Sequence, residues 1–250
     1  MNDRELALQV FSCIDNTTLN ATDNDASVEA FCRRTMEMVA GGERVAAVCV
    51  YPRFVRTAVR VLRGSGIRVA MVAGGFPHGQ IDIGLKMEEV RRGYGEGAEE
   101  FDMVLSRGEL LAGHYDTVRD EVATMKRACG DRTLKVILET GELVSQENIR
   151  RAAMLAMEGG ADFIKTSTGK SGIGATPEAA RVMLEAIADY VKICKKTVGF
   201  KAAGGIRKPE EALAYAETAK KIMGDNYINN QTFRIGASCL TEAMYSLLTF

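Results

Sequence analysis

The sequence lacks an excess of charge of either sign, and it lacks any long apolar run. Its 250 residues include 32 Lys and Arg against 33 Asp and Glu, so the formal net charge is −1. The chain therefore has no surplus of positive charge that would attract nucleic acid or an anionic membrane surface. No stretch of about 18 apolar residues occurs that could cross a bilayer. We therefore expect a small-molecule substrate, no nucleic-acid partner and no membrane partner.

The sequence also lacks the marks of secretion and of cysteine-based metal sites. Its first residues, MNDRELALQVFS, have no basic start, apolar stretch and cleavage site in series. The six cysteines lie at positions 13, 32, 49, 129, 194 and 239. None has the two-residue spacing that is typical of zinc sites and redox pairs. We expect a cytoplasmic protein with reduced cysteines, no metal and no cofactor.

No proline-rich or serine-rich linker, low-complexity tract or charge block divides the chain, which predicts a single domain over residues 1–250. A short apolar run, a small polar loop and a helical pattern recur along it. The runs that we interpret as strands are 10–14, 45–50, 67–72, 100–105, 134–139, 161–165, 197–201 and 233–235. Eight alternating βα units in a chain of this length predict a closed (β/α)8 TIM barrel of the α/β class.

Charged residues on the predicted strands point to chemistry inside the barrel. Alternation places Lys135 and Glu139 opposite the apolar face of their strand, and it places Asp102 opposite Phe101 and Met103. If the apolar faces meet the helices, these charges point inward, where an unpaired charge is costly. One interpretation is an ion-pair cluster that only fills the barrel, and the other is a catalytic site. The acidic stretch 96–100 is expected to be a solvated loop.

Two lysines favour the catalytic interpretation. Lys165 in FIKTSTGK and Lys201 in GFKAAGGIR lie at the ends of the sixth and seventh predicted strands. Adjacent strands are about 4.8 Å apart, so two inward ammonium groups at one level should lower each other's pKa. Moving a lysine pKa from about 10.4 to near 7 needs about 4 to 5 kcal/mol, which a nearby cation with partial burial can supply. One amine of the pair could then attack a carbonyl carbon.

Glycine-rich loops follow the predicted strands on the same side of the barrel. They contain Gly204, Gly205, Arg207, Gly236, Ala237 and Ser238, with Gly169 and Lys170 after the sixth strand. Glycines let backbone N–H groups approach an anion, and a helix that starts at or just after Ser238 would point its positive end there. Barrels often bind phosphate at this place. The pattern predicts a substrate with a carbonyl at one end and a phosphate at the other.

Seven strings along the chain resemble the deoxyribose-phosphate aldolase family. They are IDNTTLN at 14–20, VCVYPRFV at 48–55, GFPHG at 75–79, FDMV at 101–104, KVILETGEL at 135–143, FIKTSTGK at 163–170 and GFKAAGGIR at 199–207. The last two are highly specific to that family. The resemblance implies a class I aldolase that reversibly cleaves 2-deoxy-D-ribose 5-phosphate to D-glyceraldehyde 3-phosphate and acetaldehyde in deoxyribonucleoside catabolism.

The resemblance also implies roles for individual residues. Lys165 would form the Schiff base, Lys201 would perturb its pKa, and Asp102 would orient Lys201 and help to transfer protons. The implied substrate-binding residues are Asp15, Thr17 and Thr18 in the pocket, with Thr168, Gly169, Lys170, Gly204, Gly205, Gly236 and Ser238 around the phosphate. Two alternatives stay open, namely a class I aldolase for another sugar phosphate and a non-catalytic sugar-phosphate binding barrel. The residues do not fix the oligomeric state, for which a homodimer is one expectation.

The chain departs from the family pattern at two places. Cys239 stands where many relatives have a second serine, so this position offers a thiol in place of a hydroxyl. The chain ends at Phe250, in or just after its last predicted helix. Some relatives carry a tail there whose tyrosine reaches toward the pocket. We expect water or another group to make that proton transfer here.

Overall fold

The computed structural model describes residues 3–249, in which eight strands form a closed parallel barrel. The strands are β1 (Ile14–Thr17), β2 (Ala47–Val50), β3 (Arg68–Ala73), β4 (Glu100–Val104), β5 (Thr133–Ile137), β6 (Phe163–Lys165), β7 (Gly199–Ala203) and β8 (Phe233–Ala237). Each strand pairs with the next in the chain, and β8 closes the barrel onto β1. The predicted (β/α)8 TIM barrel is confirmed.

Ten helices in this part of the chain surround the barrel. They are α1 (Asp3–Ser12), α2 (Asp25–Glu37), α3 (Val55–Leu62), α4 (Ile83–Glu96), α5 (Arg107–Leu111), α6 (Tyr115–Cys129), α7 (Gln146–Glu158), α8 (Pro177–Cys194), α9 (Pro209–Met223) and α10 (Leu240–Thr249). The outward side chains of the strands pack against them in one apolar core, as Phe101 of β4 and Val136 of β5 illustrate. Burial of this core stabilises the fold, and the opposite strand faces remain available for the barrel interior.

Two strand predictions need correction. Residues 10–12, expected to begin the first strand, belong to α1, because Leu6, Ala7, Val10 and Phe11 form a buried stripe at helical spacing. The seventh strand is shifted toward the C-terminus relative to 197–201, so Lys201 lies in the middle of β7 and not at its end. Both errors concern boundaries, which short apolar runs do not define well.

Three further expectations concern the C-terminal residue, membrane-spanning helices and the cysteines. Phe250, where the last helix was expected to stop, lies outside the described residues. Within 3–249, no helix combines the length and the apolar character that crossing a membrane requires. All six cysteines are unpaired, four of them buried and two, Cys194 and Cys239, exposed.

Candidate active site

Lys165, Lys201 and Asp102 meet inside the barrel. The strand register pairs Lys165 of β6 with Lys201 of β7. The Nζ atom of Lys165 lies 2.8 Å from Oδ2 of Asp102, and the Nζ atom of Lys201 lies 2.7 Å from the same oxygen. All three side chains are buried. The two amines therefore share one carboxylate oxygen as their acceptor.

Four more charged side chains lie inside the barrel beneath this group. Lys135 places its Nζ atom 2.7 Å from Oδ1 of Asp102 and 2.6 Å from Oε2 of Glu100. Arg234 contacts Asp15 through Nη1 and Glu100 through Nη2, the latter at 2.7 Å. Each charge therefore has a partner of opposite sign, which is the condition under which buried charges are tolerated.

The number of charges in this cluster singles out one amine. The cations are Lys135, Lys165, Lys201 and Arg234, and the carboxylates are Asp15, Glu100 and Asp102. With every group ionised the cluster has one positive charge in excess, so the loss of one proton makes it neutral. Lys165 is the most exposed of the four cations, at 4%, and it lines the cavity above them. Arg68 also contacts Glu100, but its side chain is 32% exposed and is screened by water.

The two lysines differ in the direction of their pKa shifts. Burial lowers the pKa of Lys165 below its usual value, and the neighbouring Lys201 cation lowers it further, against the opposing effect of Asp102. Burial also acts to lower the pKa of Lys201, but the carboxylates of Asp102 and Asp15 outweigh it and raise that pKa. The strand spacing had predicted that each lysine lowers the other's pKa, whereas only Lys165 is shifted that way and burial is the main cause. Lys165 is thus the amine of the pair that gives up its proton more readily.

The barrel interior beside β2 and β3 is uncharged and lined by small side chains. Leu19, Ala47, Cys49, Ala70 and Val72 form a separate apolar cluster there. Burial raises the pKa of Cys49 to about 11, so this residue is a neutral thiol at physiological pH. This cluster contributes to the low-polarity surroundings that disfavour a charge on Lys165.

A cavity of ≈ 190 Å³ opens above Lys165 at the carboxyl ends of the strands. It is lined by Thr17, Leu19, Asn20, Lys165, Thr168, Gly169, Lys170, Ala203, Gly204, Gly205, Ile206, Arg207, Gly236, Ala237 and Ser238. Most of the residues predicted to bind substrate are in this set, so the structure brings them together around the amine. The set also brings in Leu19, Asn20 and Ile206, which sequence reasoning had not singled out.

Asp15 and Thr18, both predicted to line the pocket, are placed elsewhere. Asp15 is fully buried below the cavity, where Lys201 and Arg234 donate to it. Thr18 directs its hydroxyl to Asp23, at 2.8 Å. Asp15 lies two residues before Thr17 in β1, and strand residues two apart lie in successive layers of a barrel, whereas Thr18 follows the end of the strand. Within β1, Thr17 is the residue that lines the cavity.

The rim of the cavity is positively charged. Lys170 and Arg207 line it, and no Asp or Glu is among its lining residues in the described part of the chain. The ammonium group of Lys170 extends across the mouth and donates to the carbonyl oxygen of Leu19 at 2.6 Å. Helix α10 begins at Leu240, just after Ser238, and its N-terminus adds a partial positive charge. This end of the cavity therefore favours an anionic group.

Glycine is needed at the rim of the cavity for two different physical reasons. Gly204 and Gly205 have φ values of +92° and +85°, in the left-handed region that side chains rarely adopt. A Cβ atom at Gly236 would lie 2.8 Å from Cε of Lys201. Glycine at 236 thus makes room for the Lys201 side chain, which is a role that the phosphate-loop pattern did not predict.

Glu100 and Arg234 were missed by the sequence reasoning. The stretch 96–100 was expected to be a solvated loop, but Glu100 is fully buried in β4 and pairs with Lys135 and Arg234. The signal was present, because alternation in EFDMV places Glu100 on the same face as Asp102, and alternation in FRIGA turns Arg234 inward. Glu96, from the same stretch, is also only 7% exposed, at the end of α4.

Comparisons with known proteins agree with this geometry. The family model described as DeoC/LacD family aldolase matches residues 9–245. The deoxyribose-phosphate aldolases of Homo sapiens and Bos taurus are 41% and 42% identical to the chain, over 93% of it and 77% of each relative. Among solved structures, the aldolase QR15 has a TM-score of 0.80 at 30% identity and 96% coverage of both chains. The tetrameric deoxyribose phosphate aldolase of Aeropyrum pernix shares the fold, with a TM-score of 0.74, 23% identity and coverage of 100% of this chain and 99% of its own.

Proposed function

This chain belongs to the DeoC/LacD family of aldolases, and from that premise we propose that it reversibly cleaves 2-deoxy-D-ribose 5-phosphate to D-glyceraldehyde 3-phosphate and acetaldehyde through a Schiff base on Lys165. One observation carries the proposal above all. The buried amine of Lys165, with its lowered pKa, lines a cavity whose rim is cationic. A carbonyl at one end of the substrate and a phosphate at the other match these two features.

Imine formation would begin at Lys165. The neutral amine attacks C1 of the open-chain sugar, and loss of water from the resulting carbinolamine gives a protonated imine. Lys201, kept as an ammonium by Asp102 and Asp15, would donate a proton to the departing hydroxyl. Asp102 accepts hydrogen bonds from both lysines, so it can mediate the return of that proton.

The carbon–carbon bond would break next, with the imine as the electron acceptor. A base removes the proton of the C3 hydroxyl, and the bond between C2 and C3 breaks, because acetaldehyde retains C1 and C2. The electron pair of the broken bond forms the enamine, while C3 becomes the aldehyde carbon of glyceraldehyde 3-phosphate. The enamine then takes a proton at C2, and hydrolysis of the imine releases acetaldehyde and restores the amine. An ordered water between the substrate and the Asp102–Lys201 pair would exchange these protons.

The phosphate would bind at the cationic rim, between Lys170, the Gly204–Gly205 segment and the start of α10. This assignment leaves one phosphate position in the cavity, because Lys170 and Arg207, the two cationic residues at its rim, both lie there. It therefore supports a donor without a phosphate, such as acetaldehyde, over a phosphorylated ketone. Just before the start of α10, Ser238 contributes a hydroxyl group to the rim. The Sγ atom of the next residue, Cys239, lies 3.6 Å from the Oγ atom of Ser238.

Reductive trapping tests the proposal. When the protein is treated with acetaldehyde and borohydride near neutral pH, peptide mass analysis should find an ethyl group on Lys165. Lys192, whose side chain is 75% exposed, serves as the internal reference for nonspecific alkylation. Trapping at Lys165 should precede that at Lys192, and dihydroxyacetone phosphate should not displace acetaldehyde as donor. No adduct, an adduct elsewhere, or preference for the phosphorylated ketone would reject the assignment.

We extend the proposal to the setting of the reaction, which is deoxyribonucleoside breakdown in the cytoplasm. The unpaired state of all six cysteines supports a reducing compartment. A homodimer is the assembly that we propose for this protein, and light scattering on the purified chain measures it directly.

A further inference from the structure

A strained acidic residue lies beside the proposed phosphate site. Glu139 follows β5 with φ 57° and ψ 60°, a left-handed conformation that is unusual for a residue with a side chain. It is 1% exposed, and it is neither part of the charge cluster inside the barrel nor among the residues lining the cavity. Such strain persists only where surrounding contacts fix the residue, so the contacts of its carboxylate indicate its role.

We propose that Glu139 is a positioning residue for the phosphate end of the substrate, because it fixes the loop 168–171 that carries Gly169 and Lys170. This inference rests on the proposed function. The Oε2 atom of Glu139 accepts from Oγ1 of Thr168 at 2.5 Å, and the Oε1 atom accepts from Oγ of Ser171 at 3.0 Å. The backbone N–H of Thr168 lies 3.3 Å from both oxygens. One carboxylate therefore holds the two ends of the loop.

These hydrogen bonds fit a carboxylate, which accepts on both of its oxygens. Oγ1 of Thr168 accepts from the backbone N–H of Lys170 at 3.0 Å and donates its own proton to Glu139. A side-chain amide at position 139 would replace one of these acceptors with an N–H group, and that group would face the backbone N–H of Thr168, which lies against both oxygens. Arg107 lies 4.0 Å from Glu139 and is itself held by Glu142 at 2.8 Å. The positive charge of Arg107 therefore lies close to the buried carboxylate of Glu139.

The loop held by Glu139 reaches the phosphate site and not the reacting amine. Gly169 has φ +75° and lies against Gly204, since a Cβ atom at 169 would be 3.5 Å from the Cα atom of Gly204. Lys170 extends from the loop across the mouth of the cavity to Leu19. Lys165 is fixed separately, by its place in β6 and by Asp102. Loosening the loop should therefore weaken phosphate binding and leave the chemistry at Lys165 in place.

The test compares substrates with and without phosphate in the Glu139→Gln variant. We expect kcat/KM for 2-deoxyribose 5-phosphate to fall about 10- to 100-fold, mainly through KM, which corresponds to the loss of hydrogen bonds to a charged group. For unphosphorylated 2-deoxyribose we expect a change of less than about threefold, because that substrate does not use the loop. A residue with a merely structural role would reduce both values equally.

Glu142→Gln is the matched control. It removes the same charge from the same segment, but Glu142 is 47% exposed and contacts Arg107 and not the loop 168–171. Ser171→Ala supplies an independent arm, since it removes a hydroxyl that donates to Glu139, and Ser171 is not among the residues lining the cavity. It should show the same selective loss, and the double variant should lose less than the two single effects combined.

The outcomes separate this inference from the proposed function. A wild-type protein without turnover or trapping at Lys165 would overturn the function itself. With an active wild type, equal losses for both substrates in Glu139→Gln, or the same selective loss in Glu142→Gln, would overturn the positioning role. Should Glu139→Gln fail to fold, Ser171→Ala decides, and equal losses for both substrates in that variant would reject the inference.

Discussion

Replacing Lys165 with leucine should lower kcat for cleavage of 2-deoxyribose 5-phosphate by at least ~10⁴-fold, the scale on which enzymes lose activity with their nucleophile. Leucine fills much of the same space but has no lone pair to attack C1, and no other amine lines the floor of the cavity in the described residues. Lys201 cannot substitute, because Asp102 and Asp15 keep its pKa raised. Lys170 cannot either, because it extends across the mouth to Leu19.

The same variant should remain folded. Loss of the Lys165 amine leaves three cations and three carboxylates in the cluster, and Asp102 keeps its contacts with Lys135 and Lys201. A coupled assay for glyceraldehyde 3-phosphate measures the activity, and thermal unfolding by circular dichroism measures the stability. Lys192→Leu, the same change at an exposed lysine, is the control. More than about 1% of wild-type activity in a folded Lys165→Leu protein would show that another group is the nucleophile.

Replacing Asp102 with asparagine should lower kcat by about 10³-fold, within the range attributed to proton transfer by a positioned group. Asparagine keeps the shape of the side chain, but it removes the charge that three lysines share. It should also reduce the free energy of unfolding by about 3 to 5 kcal/mol, since one partner of buried ion pairs is lost. Steady-state kinetics and urea unfolding of the purified variant measure the two effects.

Glu100→Gln separates the catalytic from the structural part of that effect. It removes one carboxylate from the same cluster and also disturbs Lys135, but Glu100 has no ion pair with Lys165 or Lys201 among the described contacts. We expect a comparable loss of stability with a loss in kcat below about tenfold. If the two variants lose the same activity, the special role of Asp102 is wrong.

The fold and the central pair of lysines could be predicted from the sequence for a simple reason. Parallel strands in a barrel end on one side, and alternation assigns each strand residue to the inside or the outside. Those rules suffice to bring Lys165 beside Lys201 and to turn Asp102 toward them. They work even though β7 is shifted from its predicted position, because both lysines remain on inward faces at the same level.

The sequence could not show in which layer of the barrel an inward side chain lies, or at which residue a strand ends. Asp15 and Thr17 are both inward residues of β1, yet only the register of the closed barrel decides that Asp15 pairs with Arg234 while Thr17 reaches the cavity. Glu139 was expected to point into the barrel, but β5 ends at Ile137 and a left-handed backbone turns Glu139 toward Thr168. Neither outcome follows from alternation alone.

The cause of the lysine pKa shift also needed the structure. The strand spacing correctly predicted that Lys201 is a neighbour of Lys165, but the predicted cause of the pKa shift was repulsion between the two ammonium groups. The burial of Lys165 and the two carboxylates around Lys201 determine the actual directions. The asymmetry matters for the chemistry, because a neutral amine and a proton donor have to be present together.

The most direct measurement is a pH titration of both amines by NMR in protein labelled at lysine Cε, with the Lys165→Leu and Lys201→Leu variants used to assign the two resonances. We expect the Lys165 resonance to titrate with a midpoint below about 10.4, the ordinary lysine value, while Lys201 stays protonated beyond it. A Lys165 midpoint at or above that of Lys201 would contradict it, because the protein would then hold no neutral amine at the cavity near physiological pH.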